Sequence, residues 1–128
     1  MKRSLIAAKA IAYTGNGASR PAIDRMFERL GIARQIEAKS HLTAAGAAPA
    51  AVGKGEADLV LTLISEILPE PGVQFAGPLP ADFQTYLGFS AAASPKAAAN
   101  SKVEALIRFL AGQTAADVYR AKGMEAVR

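Results

Sequence analysis

The sequence predicts an α/β domain with a mixed central sheet of about five strands and helices on both faces. Two observations carry this. Short apolar runs alternate along the chain with segments of helical periodicity. One run, Asp58-Leu59-Val60-Leu61-Thr62-Leu63-Ile64, reads as continuous, apolar and partly β-branched, as a strand covered on both sides does. It is expected in the middle of the sheet.

The elements follow in order. Residues 10–14 form the first strand candidate, and residues 20–30 the first helix. In that helix Ile23, Met26, Phe27 and Leu30 share a face, Ser19 is a suitable N-cap and Pro21 sits in the first turn. Gly31 ends it at the C′ position, with Ile32 placed to pack back. Residues 36–42 suggest a second strand, and the Ala/Gly-rich residues 44–55 a short helix from Pro49. After the central run, residues 73–77 suggest a strand closed by Pro78-Leu79-Pro80, and residues 85–93 a fifth. Residues 91–99, broken by Pro95, read as a turn entering a helix. That helix carries Val103, Leu106, Ile107 and Leu110 on one face and stops at Gly112. The last helix is capped by Thr114, turns Val118 and Tyr119 inward and ends at Gly123.

A chain of 128 residues suits one domain with a real core. Hydrophobic residues are 51% and charged residues 20%, which excludes a disordered chain. No cysteine is present, so disulfides and thiolate metal sites are excluded. Fifteen Lys and Arg are scattered among eleven acids, without the clustered face a nucleic-acid partner needs. The net charge of +4 suits an anionic ligand. No apolar stretch is long enough to span a bilayer. Met1-Lys2-Arg3 followed by Leu5-Ile6-Ala7-Ala8 resembles a leader, but Lys9 interrupts it, and the segment reads as the lead-in to the first strand. A cytoplasmic location is expected if Met1 is the natural start.

The segment Gly15-Asn16-Gly17-Ala18-Ser19-Arg20-Pro21 is the most informative for function. A strand that turns through glycines into a helix start presents backbone N–H groups at the positive end of a dipole, which is a site for an anion. Gly17, Ala18, Ser19 and Arg20 are the candidate ligand-binding residues; the plain alternative is a capped turn that binds only water. The glycines would let a ligand approach the backbone. Catalysis finds little support. His41 is the only histidine, Ser65-Glu66 resembles half of an acid–base pair without a partner, and Glu70 and Asp82 read as solvated loop charges. There is no P-loop, and Gly15-Asn16-Gly17 lacks the rest of a dinucleotide fingerprint. The expectation is a protein that is not an enzyme and uses no cofactor or metal.

Further segments carry a resemblance. Lys9-Ala10-Ile11-Ala12-Tyr13, Gly17-Ala18-Ser19 and Leu30-Gly31-Ile32 open it. Gly53-Lys54-Gly55-Glu56-Ala57-Asp58-Leu59, Ile64-Ser65-Glu66-Ile67-Leu68, Gly72-Val73, Gly77-Pro78-Leu79-Pro80 and Gln84-Thr85-Tyr86 continue it. Ala105-Leu106-Ile107-Arg108-Phe109-Leu110 and Ala121-Lys122-Gly123-Met124 close it. Together they resemble the second lobe, with the C-terminal return segment, of molybdate-type periplasmic solute-binding proteins of ABC transporters.

The resemblance implies one domain over residues 1–128, of the type 2 periplasmic-binding kind, with a second-lobe-like core over 1–76 and a crossover strand and C-terminal helices over 77–128. It implies a periplasmic location, a transporter permease as partner, and a small oxyanion or other anionic solute held by N–H groups and hydroxyls at helix N-termini. By position, Gly17, Ala18 and Ser19 match one contact, and Gly46, Ala47 and Ala48 roughly match the next. Molybdate binders place a tyrosine where this chain has Leu63, which has no hydroxyl, so the ligand class is better supported than molybdate. The alternative is a truncated lobe acting as an oligomerising interaction module; a small enzyme or sensor domain is a third reading. If the lobe they evolved to cover is missing, Val103, Leu106, Ile107 and Leu110, with Phe89 and Phe109, either fold back over the remaining sheet or are shared in a homodimer, the favoured expectation.

Overall fold

The strand β1 (Ile11–Thr14) is buried at all four positions and organises what surrounds it. The structure is a computed structural model and describes residues 1–126. It divides into two compact units, Met1–Leu87 and a second from Gly88 onward.

In the first unit β1 pairs in parallel with β2 (Ser40–Thr43) on one side and with β3 (Leu59–Val60) on the other. The sheet order is β2-β1-β3. Strand alternation sends Ile11 and Tyr13 to one face and Ala12 to the other. The large face packs on Leu5 of α1 (Lys2–Ala7), on Ile23, Met26 and Phe27 of α2 (Arg20–Arg29), on Ile32, and on Ile36 of α3 (Ala33–Glu37). Tyr13 and Phe27 meet edge to face, with ring centroids 5.7 Å apart. The small face packs on Ala48 and Ala51 of α4 (Ala48–Gly53) and on Ala57. Helices therefore cover both faces of β1. Each large aliphatic side chain buried here stabilises the fold by roughly 1.5–3 kcal/mol.

The sheet is three-stranded and wholly parallel, not the five-stranded mixed sheet the sequence suggests. The lead-in to β1 is a helix, α1. Residues 36–42 divide into the end of α3 and the strand β2, because Ile32 and Ile36 bury one helical face four residues apart. The apolar run at 58–64 yields only the two-residue β3, half-buried and at the sheet's edge rather than its middle. The N–H of Leu61 donates to the carbonyl of Ala12 at 3.0 Å, after which the chain turns into α5 (Ile64–Ile67) with Leu63 as its N-cap. Continuous hydrophobicity here reflects a strand end and a short helix that both touch the core. Residues 73–77 and 85–93 form no strand among the described residues. Proline at 71, 78 and 80 removes ladder donors, and the chain folds instead into turns. One turn is closed by the N–H of Phe83 to the carbonyl of Pro80 and the N–H of Leu79 to Oε1 of Gln84.

The second unit contains a short 3-10 turn (Pro95–Ala97), α6 (Ser101–Leu110) and α7 (Gln113–Ala121). Asn100 caps α6 by accepting from the N–H of Lys102 at 3.0 Å. The N-cap of α7 is Gly112, so Thr114 lies inside the helix rather than capping it. α2 and α7 end as their glycines predict. Gly31 and Gly123 adopt φ of 64° and 75°, and the following N–H groups, of Ile32 and Met124, reach back to the carbonyls of Phe27 and Tyr119. On α6, Val103, Ile107 and Leu110 are half-buried, whereas Leu106 and Phe109 are 56% and 59% exposed.

α1 is held by one cation. Lys39 Nζ donates to the carbonyls of Leu5, Ile6 and Ala8 at 2.8, 2.5 and 2.7 Å, satisfying carbonyls that a helix C-terminus leaves without partners. Replacing Lys39 by Met keeps the aliphatic stem and removes all three bonds. The expected loss of stability is about 1.5–3 kcal/mol, read as a lower urea midpoint at unchanged m-value.

Candidate functional site

Parallel pairing places the carboxyl ends of all three strands on one side of the first unit. The connection from β1 runs to β2, and the chain then returns past β1 to β3, so β1 and β3 flank the point where strand order reverses. In open α/β sheets that point is where ligands bind.

Thr14 ends β1 and is 4% exposed, the one buried polar residue among those described. Its Oγ1 accepts the N–H of Gly17 at 2.8 Å, so its own hydroxyl proton remains available to donate. The turn is completed by the N–H of Arg20 donating to the carbonyl of Gly17 at 3.0 Å. Gly17 and Arg20 thus spend their N–H groups inside the turn. The N–H groups of Ala18 and Ser19 have no acceptor among the described residues, and Ser19 makes no side-chain cap. Gly17 is glycine for a local reason. A Cβ there would stand 2.7 Å from both Oγ1 and Cγ2 of Thr14, whereas a Cβ at Gly15 would meet only ordinary contacts from 3.7 Å.

The Arg20 side chain folds back over the turn. Its Nε donates to both carboxylate oxygens of Asp24 at 2.7 and 2.8 Å, and Nη1 donates to the carbonyl of Gly15 at 3.3 Å. The guanidinium lies 5.2 Å from the centre of the Tyr13 ring, within cation–π range. Tyr13 is fixed in turn. Ser40 Oγ donates to the carbonyl of Ile36, so the 2.6 Å contact between Tyr13 Oη and Ser40 Oγ has the phenol as donor.

The other predicted contact is built differently. The N–H of Ala47 donates to the carbonyl of Ala44 at 3.1 Å, and the Ala48 side chain is buried against Ala12. Ala48 is therefore a core residue whose backbone alone could face a ligand. Near this turn lies a group the sequence left unassigned. Thr62 Oγ1 hydrogen-bonds Oε2 of Glu66, and Oε1 of Glu66 is 4.0 Å from where a Cβ at Gly46 would stand. Sequence reasoning noted Glu66 without a partner and missed Thr14, Tyr13, Asp24 and Thr62. For Asp24 the i, i+4 spacing from Arg20 was the available signal. His41 stands 3.4 Å from Glu56 on the half-exposed strand β2. Leu63, where the resemblance expects a tyrosine, begins α5.

A family model described as bacterial extracellular solute-binding protein matches residues 5–125. The chain belongs to this family. Membership supports a small solute as ligand and a periplasmic or secreted location; molybdate specificity, a transporter partner, a homodimer and the interaction-module alternative gain no support from it. Among curated proteins, the chain is 27% identical over 126 residues to a protein named aconitate isomerase from Pseudomonas sp.. The match covers 98% of this chain and 48% of that protein, so the chain spans about half the length of its curated relative. No solved structure matches. The relative overturns one expectation. A sequence without a convergent acid and base read as no enzyme, yet a protein similar over nearly this whole chain is named as an isomerase.

The steric contact at the turn has a measurable consequence. Gly17→Ala is expected to destabilise the fold by about 1–3 kcal/mol through overpacking against Thr14. Gly15→Ala is expected to stay within about 0.5 kcal/mol of the parent. Chemical denaturation of the two variants checks both.

Proposed function

We propose that this chain is a solute-binding lobe that takes a small carboxylate, or another small anion, at the carboxyl end of β1. The observation that carries the reading is the pair of N–H groups on Ala18 and Ser19, without acceptors among the described residues, at the start of a ten-residue helix beside the point where strand order reverses. Arg20 adds a cation whose Nη2 edge has no partner among the described residues, and Thr14 adds a buried hydroxyl with a proton to give. At the turn before α4 the Ala47 N–H is spent on the carbonyl of Ala44, so a second backbone contact would come from Gly46 or Ala48. The name of the curated relative favours a carboxylate over a tetrahedral oxyanion, since aconitate is a small tricarboxylate.

A second reading, that the bound acid is also isomerised, is favoured by the relative's match across 98% of the chain. It uses the same site.

Titration calorimetry with cis-aconitate, trans-aconitate, citrate, sulfate and molybdate tests the ligand class. A carboxylate at a hundred times its Kd should add about 2.7 kcal/mol to the folded state and raise Tm accordingly. Arg20→Ala removes a charge-assisted contact of about 1.5–3 kcal/mol, so affinity is expected to fall roughly tenfold to a hundredfold. Equal affinity in the variant, or binding of molybdate and sulfate but no carboxylate, would count against the reading.

A further inference from the structure

We propose that Glu66 is the group that moves a proton on an unsaturated carboxylate bound at this site, an inference that rests on the carboxylate reading above.

The placement comes from register. β3 pairs Leu59 with Ile11 and Val60 with Ala12, and the N–H of Leu61 still bonds the carbonyl of Ala12. Thr62 therefore leaves the sheet at the level of Thr14, at the carboxyl end of the neighbouring strand. Four residues later the first turn of α5 brings the Glu66 carboxylate back onto the Thr62 hydroxyl. That bond fixes Oε2. Oε1 has no hydrogen-bond partner among the described residues and lies beside Gly46, where no side chain fences it off. Glu66 is half-buried, so a ligand can reach it.

Glu28, Glu37, Glu70, Asp82 and Glu125 also make no ion pair among the described residues, but no side-chain hydrogen bond orients them as Thr62 orients Glu66. The other acids are committed. Asp24 is paired with Arg20, Glu56 faces His41, Glu104 is paired with Arg108, and Asp117 with Arg120. Asp58 accepts the N–H of Lys9. Glu66 is held by a neutral hydroxyl, with no cation against it among the described residues. A carboxylate oriented in this way, with one oxygen committed and one unclaimed, is arranged to accept a proton.

The chemistry balances without a co-reactant. Glu66 Oε1 takes a proton from the CH2 group next to a carbon–carbon double bond. The electron pair of that C–H bond becomes a new double bond, and the old π pair moves to the far carbon, where its carboxylate delocalises the charge. The proton on Oε1 exchanges with solvent, and Oε1 then delivers a proton to that far carbon. The double bond has moved, the atom count is unchanged, and Glu66 is again a carboxylate. Arg20 and the N–H groups of Ala18 and Ser19 hold a carboxylate of the substrate while this happens.

The test uses the full chain with trans-aconitate in deuterated water. Proton NMR follows loss of the CH2 signal and appearance of the cis isomer, and calorimetry measures binding separately. With the parent chain, deuterium is expected to enter the ligand. In Glu66→Gln, exchange and interconversion should fall at least a hundredfold while Kd changes by less than threefold, and Glu66→Asp should recover part of the rate. Thr62→Val, which frees the carboxylate, should slow exchange with binding kept. Exchange at the parent rate in Glu66→Gln overturns the assignment. So does a parent chain that binds trans-aconitate and exchanges nothing, which leaves the binding reading standing. A chain that binds no carboxylate overturns both.

Discussion

Burial of β1 on both faces is the constraint on which the first unit depends. Ile11, Ala12, Tyr13 and Thr14 are all closed to solvent, and their alternation of large and small side chains decides what each face can accept. The face with Ile11 and Tyr13 needs the bulk of α1, α2 and α3 to fill it. The face with Ala12 admits α4 only because that helix presents alanines. Interiors are packed as densely as crystals, so the two faces are not interchangeable. A slip of one residue would set Tyr13 against Ala48 and leave a cavity opposite.

The same strand connects the core to the site. Thr14 belongs to β1 by its backbone and to the following turn by its hydroxyl, which holds the N–H of Gly17. Because Thr14 is buried and stiff at χ1, the turn inherits its position from the sheet. Tyr13 does the same on the other face, carrying the Arg20 guanidinium above its ring while Ser40 fixes its phenol. Both groups that orient the start of α2 are therefore core residues, and mutations that disturb the sheet are expected to reach that turn.

The strand–glycine–helix unit at 11–29 was legible from its residues, as were the glycine-terminated ends of α2 and α7, because each rests on local backbone chemistry. What failed depended on partners distant in sequence. The run at 58–64 looked central because its residues are apolar, but a strand's place in a sheet is set by which strands flank it, and β1 took the middle. Ile32 and Ile36 fit both periods until α1 and α2 are seen to pack on them. At the site, Gly17 and Ser19 were noticed as ligand contacts. Gly17 proves to be shaped by Thr14, and Ser19 offers its N–H rather than a capping hydroxyl. Glu66 was seen but had no visible partner, since the hydroxyl that orients it depends on where β3 ends. The expectation of no enzyme rested on seeing no convergent acid and base, and convergence is a tertiary property that spacing along a sequence does not display.

Asp24 appears at first to compete with an anion for Arg20, and magnitudes decide whether it does. The pair is an i, i+4 contact with both side chains partly exposed. Such pairs stabilise a helix by about 0.3–0.5 kcal/mol, whereas a charge-assisted bond to a well-placed ligand carboxylate contributes about 1.5–3 kcal/mol. Asp24 occupies only the Nε position, which leaves the Nη2 edge clear among the described residues. The acid therefore orients the guanidinium more than it neutralises it, and it holds Arg20 over Tyr13 before any ligand arrives. That preorganisation lowers the side-chain entropy lost on binding. Under the proposed carboxylate reading, the neutral N–H pair beside it would share the ligand's charge with a guanidinium already in place.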